Sequence, residues 1–429
     1  MSAVHIIMSV ICYVKGDMIM SNGKCGYSFW GFLGDVKYDK NMNVLSTPDG
    51  NAFYSWCIIR ELQRRDYDVV QIMPDRDRYG YEKFNSMLFS SWHSFSRNIA
   101  YRNTKKLDWE GLYERLWTIR SNTDDEKFMD VRAEITKFLM YECADLDFIL
   151  HEYRMEIPGR NTLDCYGNDC WQPDYLIQEC LFQYCALEHK KLIIVDLDYK
   201  LTEEKCDELH DMGVDFSIFE LGEKWQHSSP CYADISRKVY IPFDFSMPMI
   251  PLRFPRDRTK TLVYVGNRYE RDWCIDKYIP EDLANCVVYG NWLEGNRDSK
   301  DRWPNITFGK RLQTADMYSV YSTSVATILL AKKEYCDNGF MTARVIESIF
   351  YGTVPLFIEE YGEDVIEKYA GIFAPLLTVR SKEDVEKVIL MLMQEDGGEW
   401  CTNIINYMRN RLQFMHVGFF VDELLLEVK

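Results

Sequence analysis

The sequence lacks the short motifs that most directly announce a chemistry. It has no P-loop, no Gly-x-Gly-x-x-Gly fingerprint, no His-Glu-x-x-His pair and no Cys-x-x-Cys. Walker-type nucleotide hydrolysis, a standard dinucleotide site and a zinc protease therefore have no anchor in it. No apolar run is long enough to span a bilayer, so no membrane contact is expected. The N-terminal stretch HIIMSVICYV also lacks a basic leading region and a small-residue cleavage site, and reads as an extra strand or a leader before a start at Met18 or Met20 rather than Met1. Internal repeats and low-complexity tracts are absent. Positive charge is in deficit: 50 Lys and Arg against 67 Asp and Glu leave a formal net charge of -17. That balance excludes a protein that coats nucleic acid by general electrostatics, although a local basic cleft survives in an acidic molecule.

What is present is ample material for buried cores. A chain of 429 residues, 47% hydrophobic and 14% aromatic, is too long for one core, so two domains are expected. The 14 cysteines are scattered. Their densest set is Cys165, Cys170, Cys180 and Cys185, and the last two lie five apart on a predicted helix, on different faces. They read as structural thiols of a reducing, cytoplasmic protein.

The most informative stretch runs from Ser324 to Glu360. Val325–Ala331 is a β-branched run bounded by charge, Asp337-Asn338-Gly339 is a turn, Met341–Tyr351 has helical apolar spacing, and Thr353–Ile358 is a second buried strand. Two parallel strands bridged by a helix form a βαβ unit, whose loop opens at the carboxyl edge of the sheet where such folds bind ligands. Arg344 and Glu347 lie one turn apart there. A carboxylate can hold ribose hydroxyls and an arginine can fork onto phosphate, or the two can form a plain i,i+3 ion pair.

The same alternation runs through the rest of the chain. Strands are expected at Tyr27–Leu33, Asp68–Met73, Asp147–Leu150, Leu192–Val195, Phe216–Phe219 and Val239–Ile241, with helices at Ala52–Arg65, Trp109–Ile119, Asp125–Tyr141 and Asp174–Glu188. Pro242–Pro255, with four prolines, reads as a linker. After it the pattern restarts with strands at Thr261–Val265, Cys286–Tyr289 and Ile306–Phe308 and a helix over Ala315–Tyr321. Cys401–Leu426 is one long amphipathic helix that packs back across the linker. The expected fold class is α/β, two Rossmann-like doubly wound domains facing across a cleft. The boundaries are 1–245, 256–400 and a crossover helix over 401–429.

Three strand ends of the second half deliver cations or open backbone at one edge: Gly266-Asn267-Arg268, Gly309-Lys310-Arg311, and the turn carrying Gly339 and Arg344. Their convergence predicts a diphosphate site. Among carboxylates at the facing edge, Asp198 ranks first as a general base, then Asp196, Asp49 and Glu152.

On these features the chain resembles GT-B glycosyltransferases, through Gly266-x-Arg268 after the first strand of the second domain and Glu347-x4-Gly352-Thr353-Val354-Pro355. The resemblance implies Glu347 on the ribose and Arg268, Lys310, Arg311 and Arg344 near the diphosphate of a UDP-sugar, with no tightly bound metal and a divalent ion left open. The sequence departs from the family's E-x7-E pattern, since Pro355 stands where the second acid belongs, so the resemblance favours inversion over retention. In style the chain is also similar to phage DNA glycosyltransferases that modify 5-hydroxymethylcytosine. That likeness implies a DNA acceptor, a host-cell cytoplasmic setting and a glucose or pentose donor such as arabinose, with Arg76, Arg154 and Tyr153 on the acceptor. Competing readings are a protein or surface-glycan acceptor, a non-catalytic nucleotide-sugar module, and a non-hydrolysing epimerase.

Overall fold

The computed structural model describes residues 21–28, 37–38, 44–46, 50–73, 104–109, 111–112, 115, 125–153, 173–196, 200–221, 234–244, 257–294, 298–312 and 314–429. Two all-parallel sheets organise them. The first is built from β1 (Gly23–Ser28), β4 (Tyr67–Gln71), β5 (Thr104–Lys106), β6 (Phe148–Glu152), β7 (Lys191–Asp196), β8 (Phe216–Leu221) and β9 (Ser236–Val239), in the order β5-β4-β1-β6-β7-β8-β9. A small antiparallel hairpin, β2 (Lys37–Tyr38) and β3 (Val44–Ser46), follows β1. Helices α1 (Gly50–Arg64), α2 (Asp125–Glu142), α3 (Pro173–Leu187) and α4 (Glu203–Asp211) connect the strands. The chain leaves β1 to one side for β4 and β5 and returns on the other for β6, so the topological switch lies between β1 and β6.

The second sheet repeats the plan with β10 (Lys260–Val265), β11 (Cys286–Tyr289), β12 (Thr307–Gly309), β13 (Ser324–Leu329), β14 (Val354–Ile358) and β15 (Thr378–Val379), ordered β12-β11-β10-β13-β14-β15. Its helices are α5 (Asp272–Tyr278), α6 (Ser299–Arg302), α7 (Thr314–Ser322), α8 (Lys333–Asp337), α9 (Arg344–Phe350), α10 (Glu363–Ala370), α11 (Ala374–Leu377) and α12 (Lys382–Leu392). Here the switch lies between β10 and β13. The apolar runs LIIV, SVATIL and VPLFI are buried along their length because helices cover both faces.

Several expected elements shift by a few residues, for local reasons. β1 begins at Gly23 and ends at Ser28, ahead of the expected Tyr27–Leu33, because Gly23–Tyr27 pairs in register with Tyr67–Gln71. β6 continues past Leu150, so Glu152 is the last strand residue, paired with Val195, and not part of a loop. The helix expected over Met341–Tyr351 is shorter, and an unexpected short helix stands ahead of the turn. α8 comes first, and Gly339, at φ 65°, closes it with Phe340 N donating to Tyr335 O at 2.8 Å, a Schellman-type stop. α9 then starts only at Arg344. Trp109–Ile119 falls largely outside the described residues.

The single C-terminal helix is in fact α13 (Gly397–Arg411), a 3₁₀ turn, and α14 (Val417–Val428). The break has a cause in the linker. Phe243 N donates to Met415 O at 3.0 Å and Val417 N donates to Phe243 O at 2.9 Å, so the returning chain opens into extended backbone to pair with the outgoing one. Past the break α14 packs on the first sheet, with Phe420 against Phe219 at 5.5 Å between ring centroids. Arg65 binds Asp422 and the carbonyl of Gly418, and Glu427 accepts from Ser217 Oγ at 2.6 Å and Arg237 Nε at 2.9 Å. One apolar core therefore runs from Leu150 and Phe219 through Val421 and Met408 to Leu262 and Phe357. The outer face of the first sheet has its own core under α2 and α3. Among the described residues no helix is long and apolar enough to cross a membrane.

The Ser217 hydroxyl, and after it Arg237, hold the Glu427 carboxyl below its ordinary value of 4.5. Its contribution is present above pH 4.5 and is lost as pH falls through the folded value. Glu427→Gln should lower stability by about 1 kcal/mol at pH 7. Thermal unfolding of both proteins across pH 3–7 should show that gap closing below pH 4.5.

Candidate functional site

The carboxyl edge of the second sheet is built by the loops leaving β10, β11, β12 and β13. The first two are locked together. Arg268 N donates to Asn291 Oδ1 at 2.9 Å, Asn291 N to Asn267 Oδ1 at 3.3 Å, and Trp292 Nε1 to Gly266 O at 2.8 Å. Gly290, at φ +143°, permits this approach, because a Cβ there would lie 2.1 Å from the carbonyl oxygen of Gly266. The hydroxyl of Tyr264 folds over Gly266 itself, 2.2 Å from where a Cβ would stand.

The cations expected at this edge meet different partners. Arg268 forks onto Asp272 at 2.8 and 2.7 Å and reaches Asp298 at 3.0 Å, which raises its pKa and lowers that of Asp298. Lys310 and Arg311 are exposed beyond β12, the edge strand, and make no ion pair among the described residues. Arg344 pairs with Glu347 and lies 3.9 Å from Met317 Sδ on α7, the i,i+3 geometry already open in the sequence. Arg268 and Arg344 thus sit in separate ion pairs.

A second arginine changes the picture. Arg271 is only 9% exposed. Its Nη1 donates to the carbonyls of Asn267 and Tyr269 at 3.3 and 3.1 Å, and among the described residues no carboxylate pairs with it and its Nε has no partner. A buried guanidinium without a counter-charge is costly. Tyr321 Oη and Thr342 Oγ1 are also buried without a partner. Arg271 follows β10 and Thr342 precedes α9, whereas Tyr321 closes α7 just ahead of β13. Burial raises the Tyr264 pKa, while Arg271 and Arg344 both pull it back. Burial and then Glu347 raise the Tyr321 pKa, offset by Arg344. Tyr54 of α1 is 4% exposed; burial and then Glu347 raise its pKa, and Arg344 pulls it back.

Across the cleft, Glu152 is buried at the end of β6 and, by strand alternation, on the face of Phe148 and Leu150 that packs toward the second sheet. Asp196 is fully buried, and its two oxygens accept from the amides of Lys200 and Leu201, both at 2.9 Å, so it shapes the turn after β7. Tyr153 is buried in the core under α3, and its N donates to Val195 O at 3.1 Å. Asp198, Asp49, Arg76 and Arg154 lie outside the described residues. At the first switch point His151 is fully buried between Ser28 Oγ at 3.1 Å and Gln178 Oε1 at 2.8 Å. Among the described residues no group of three or more His, Cys, Asp or Glu side chains is placed to hold a metal.

Sequence reasoning missed Arg271, Thr342 and the tyrosines. Arg271 was legible only as a helix opener, three residues beyond the more conspicuous Arg268. Tyr264, two before Gly266 on an inward strand position, was the one available signal of a hydroxyl at this edge.

Two doubly wound parallel sheets, a double crossing between them and a last helix returned to the first define the GT-B architecture. No protein-family model and no curated protein matches the chain by sequence. Among solved structures it is similar to HepE (Alr3699) of Anabaena, solved in complex with UDP-glucose, at 11% identity over 94% of this chain and 99% of that one, with a TM-score of 0.51. The N-terminal domain of Candida albicans trehalose-6-phosphate phosphatase aligns at 10% identity over 96% and 98% of the chains, with a TM-score of 0.49. An O-GlcNAc transferase mutant of Thermobaculum terrenum aligns at 12% over 94% and 66%, with a TM-score of 0.45. At such identities the likeness is one of fold.

Gly290→Ala should destabilise the protein by roughly 2–4 kcal/mol, because overpacking against Gly266 adds to backbone strain. Gly213→Ala shares a positive φ but meets nothing within 4 Å, and should cost only about 1 kcal/mol. Urea unfolding of the two variants reads the difference.

Proposed function

We propose that the protein is a nucleotide-sugar-dependent glycosyltransferase that binds a UDP-sugar at the carboxyl edge of the second sheet. The observation that carries this reading is the buried, unneutralised Arg271 at that edge: among the described residues its Nε and Thr342 Oγ1 have no partner, beside the Arg344–Glu347 pair. Cations and hydroxyl donors around a crevice suit a diphosphate, and a carboxylate with 12% exposure suits ribose hydroxyls. The fold shared with HepE, solved with UDP-glucose, supports the same donor class.

In the reaction an acceptor hydroxyl attacks the anomeric carbon on the face opposite the diphosphate. The bond to the diphosphate breaks, UDP leaves with the electron pair, and the hydroxyl proton passes to a carboxylate. Negative charge grows on the leaving group, and Arg271 and Arg344 are the fixed charges that stabilise it. An inverting course needs one base on the acceptor side. Asp196 already holds two amides, so Asp198 remains the first candidate, followed by Glu152 and Asp49. The proposed acceptor, 5-hydroxymethylcytosine in DNA, rests on the sequence resemblance, with Arg76, Arg154 and Tyr153 its proposed contacts. Gly266, Asn267, Arg268, Lys310, Arg311 and Gly339 are proposed to shape the donor site, Arg268 through its ion pairs.

Titration calorimetry with UDP and UDP-glucose is the direct test. Arg344→Ala and Arg271→Met should each weaken UDP binding by on the order of 1–3 kcal/mol, about tenfold to a hundredfold in Kd. Failure of the wild-type protein to bind either compound removes the proposal. Incubation with UDP-glucose and duplex DNA, with and without hydroxymethylcytosine, followed by mass spectrometry of the nucleosides, tests the acceptor. UDP release without a sugar on the DNA assigns the acceptor to another class.

A further inference from the structure

On the solvent side of α5 lies a second cavity of ≈ 540 Å³, within the range of small-molecule sites. Cys274, Ile275 and Tyr278 turn the other side of α5 into the core, toward β10. The cavity therefore opens on the face of α5 away from that core, and shares Arg268 with the loop after β10. Its floor is a charge network. Asp272 binds both Arg268 and Arg302, the latter at 2.9 Å, and Asp276 binds Arg302 at 2.6 Å and Trp303 Nε1 at 2.7 Å. The ring of Trp303 lies under Arg302 at 4.6 Å.

Beside this floor the cavity is lined by three side chains that make no side-chain hydrogen bond or ion pair among the described residues. Tyr269 is 47% exposed and its hydroxyl makes no hydrogen bond. Glu270 makes no hydrogen bond or ion pair, yet its backbone sits at φ 51°, a conformation that costs a glutamate energy. Trp273 offers an indole N–H and a partly exposed ring. A turn that only reversed the chain would be more stable with glycine at 270.

The chemistry of the lining selects its ligand. Glu270, Asp272 and Asp276 repel a phosphate, and Arg268 and Arg302 repel a cation. Alternating acceptors and donors beside aromatic faces match groups that both donate and accept on an apolar ring, as sugar hydroxyls do. Arg268 and Arg302, already fixed by Asp272 and Asp276, lose little freedom on binding. We propose that this cavity is a binding subsite for a neutral carbohydrate chain, with Tyr269 and Trp273 stacking on its rings and Glu270 accepting from its hydroxyls.

The proposal does not depend on the donor reading, and its test uses no nucleotide-sugar turnover. Maltopentaose, cellopentaose and chitopentaose are titrated into the full chain by calorimetry and saturation-transfer NMR. At least one should bind saturably, at least tenfold more weakly in Tyr269→Ala and Glu270→Gln, with UDP affinity unchanged in both. Glu270→Gly separates turn from ligand: it should raise the melting temperature and weaken the oligosaccharide. Higher stability with full oligosaccharide affinity overturns the proposal. So does the absence of millimolar binding to all three sugars, or displacement of the bound sugar by UDP.

Discussion

The two halves of this protein are held in one arrangement by a backbone pairing where the chain crosses twice between the sheets. Phe243, on its way out, exchanges two hydrogen bonds with Met415 and Val417, on the way back. Around it the core stays continuous, and Arg64 reaches Asp244 at 3.1 Å. Arg409, buried at the end of α13, donates to the carbonyls of Ile349 and Phe350 that α9 leaves open. The helix carrying Arg344 and Glu347 is thereby fixed to the same crossing. Without these contacts Tyr54 would have no defined position against the second domain.

The two carboxyl edges differ in how they treat polar groups. At the first, Asp196 and His151 are saturated by amides and neighbouring side chains, and stabilise the turns that bear them. At the second, Arg271 is buried with no carboxylate partner among the described residues, and its Nε and Thr342 Oγ1 have none, as Gln71 Oε1 at the end of β4 has none in the first sheet. Such groups weaken the folded state unless something else binds them.

Much of the fold was legible in the sequence because parallel strands buried on both faces read as apolar runs. LIIV, TLVYV and SVATIL all proved to be strands, and the restart after the linker marked the second sheet. The site was legible only to the level of an edge. Arg268 carried the recognisable spacing, yet its partners Asp272 and Asp298 lie four and thirty residues on. An i,i+4 partner is visible in a sequence, whereas a partner from another loop is not. The split of the C-terminal helix escaped for the same reason, since its cause lies in Phe243.

Periodicity and burial by themselves determined the two parallel sheets and the point at which the second begins, because those follow from short-range pattern. Tertiary structure alone decided which arginine is neutralised and which is left buried with an open Nε. A side chain's partners are set by what other strands bring within about 3 Å, and no local pattern carries that distance.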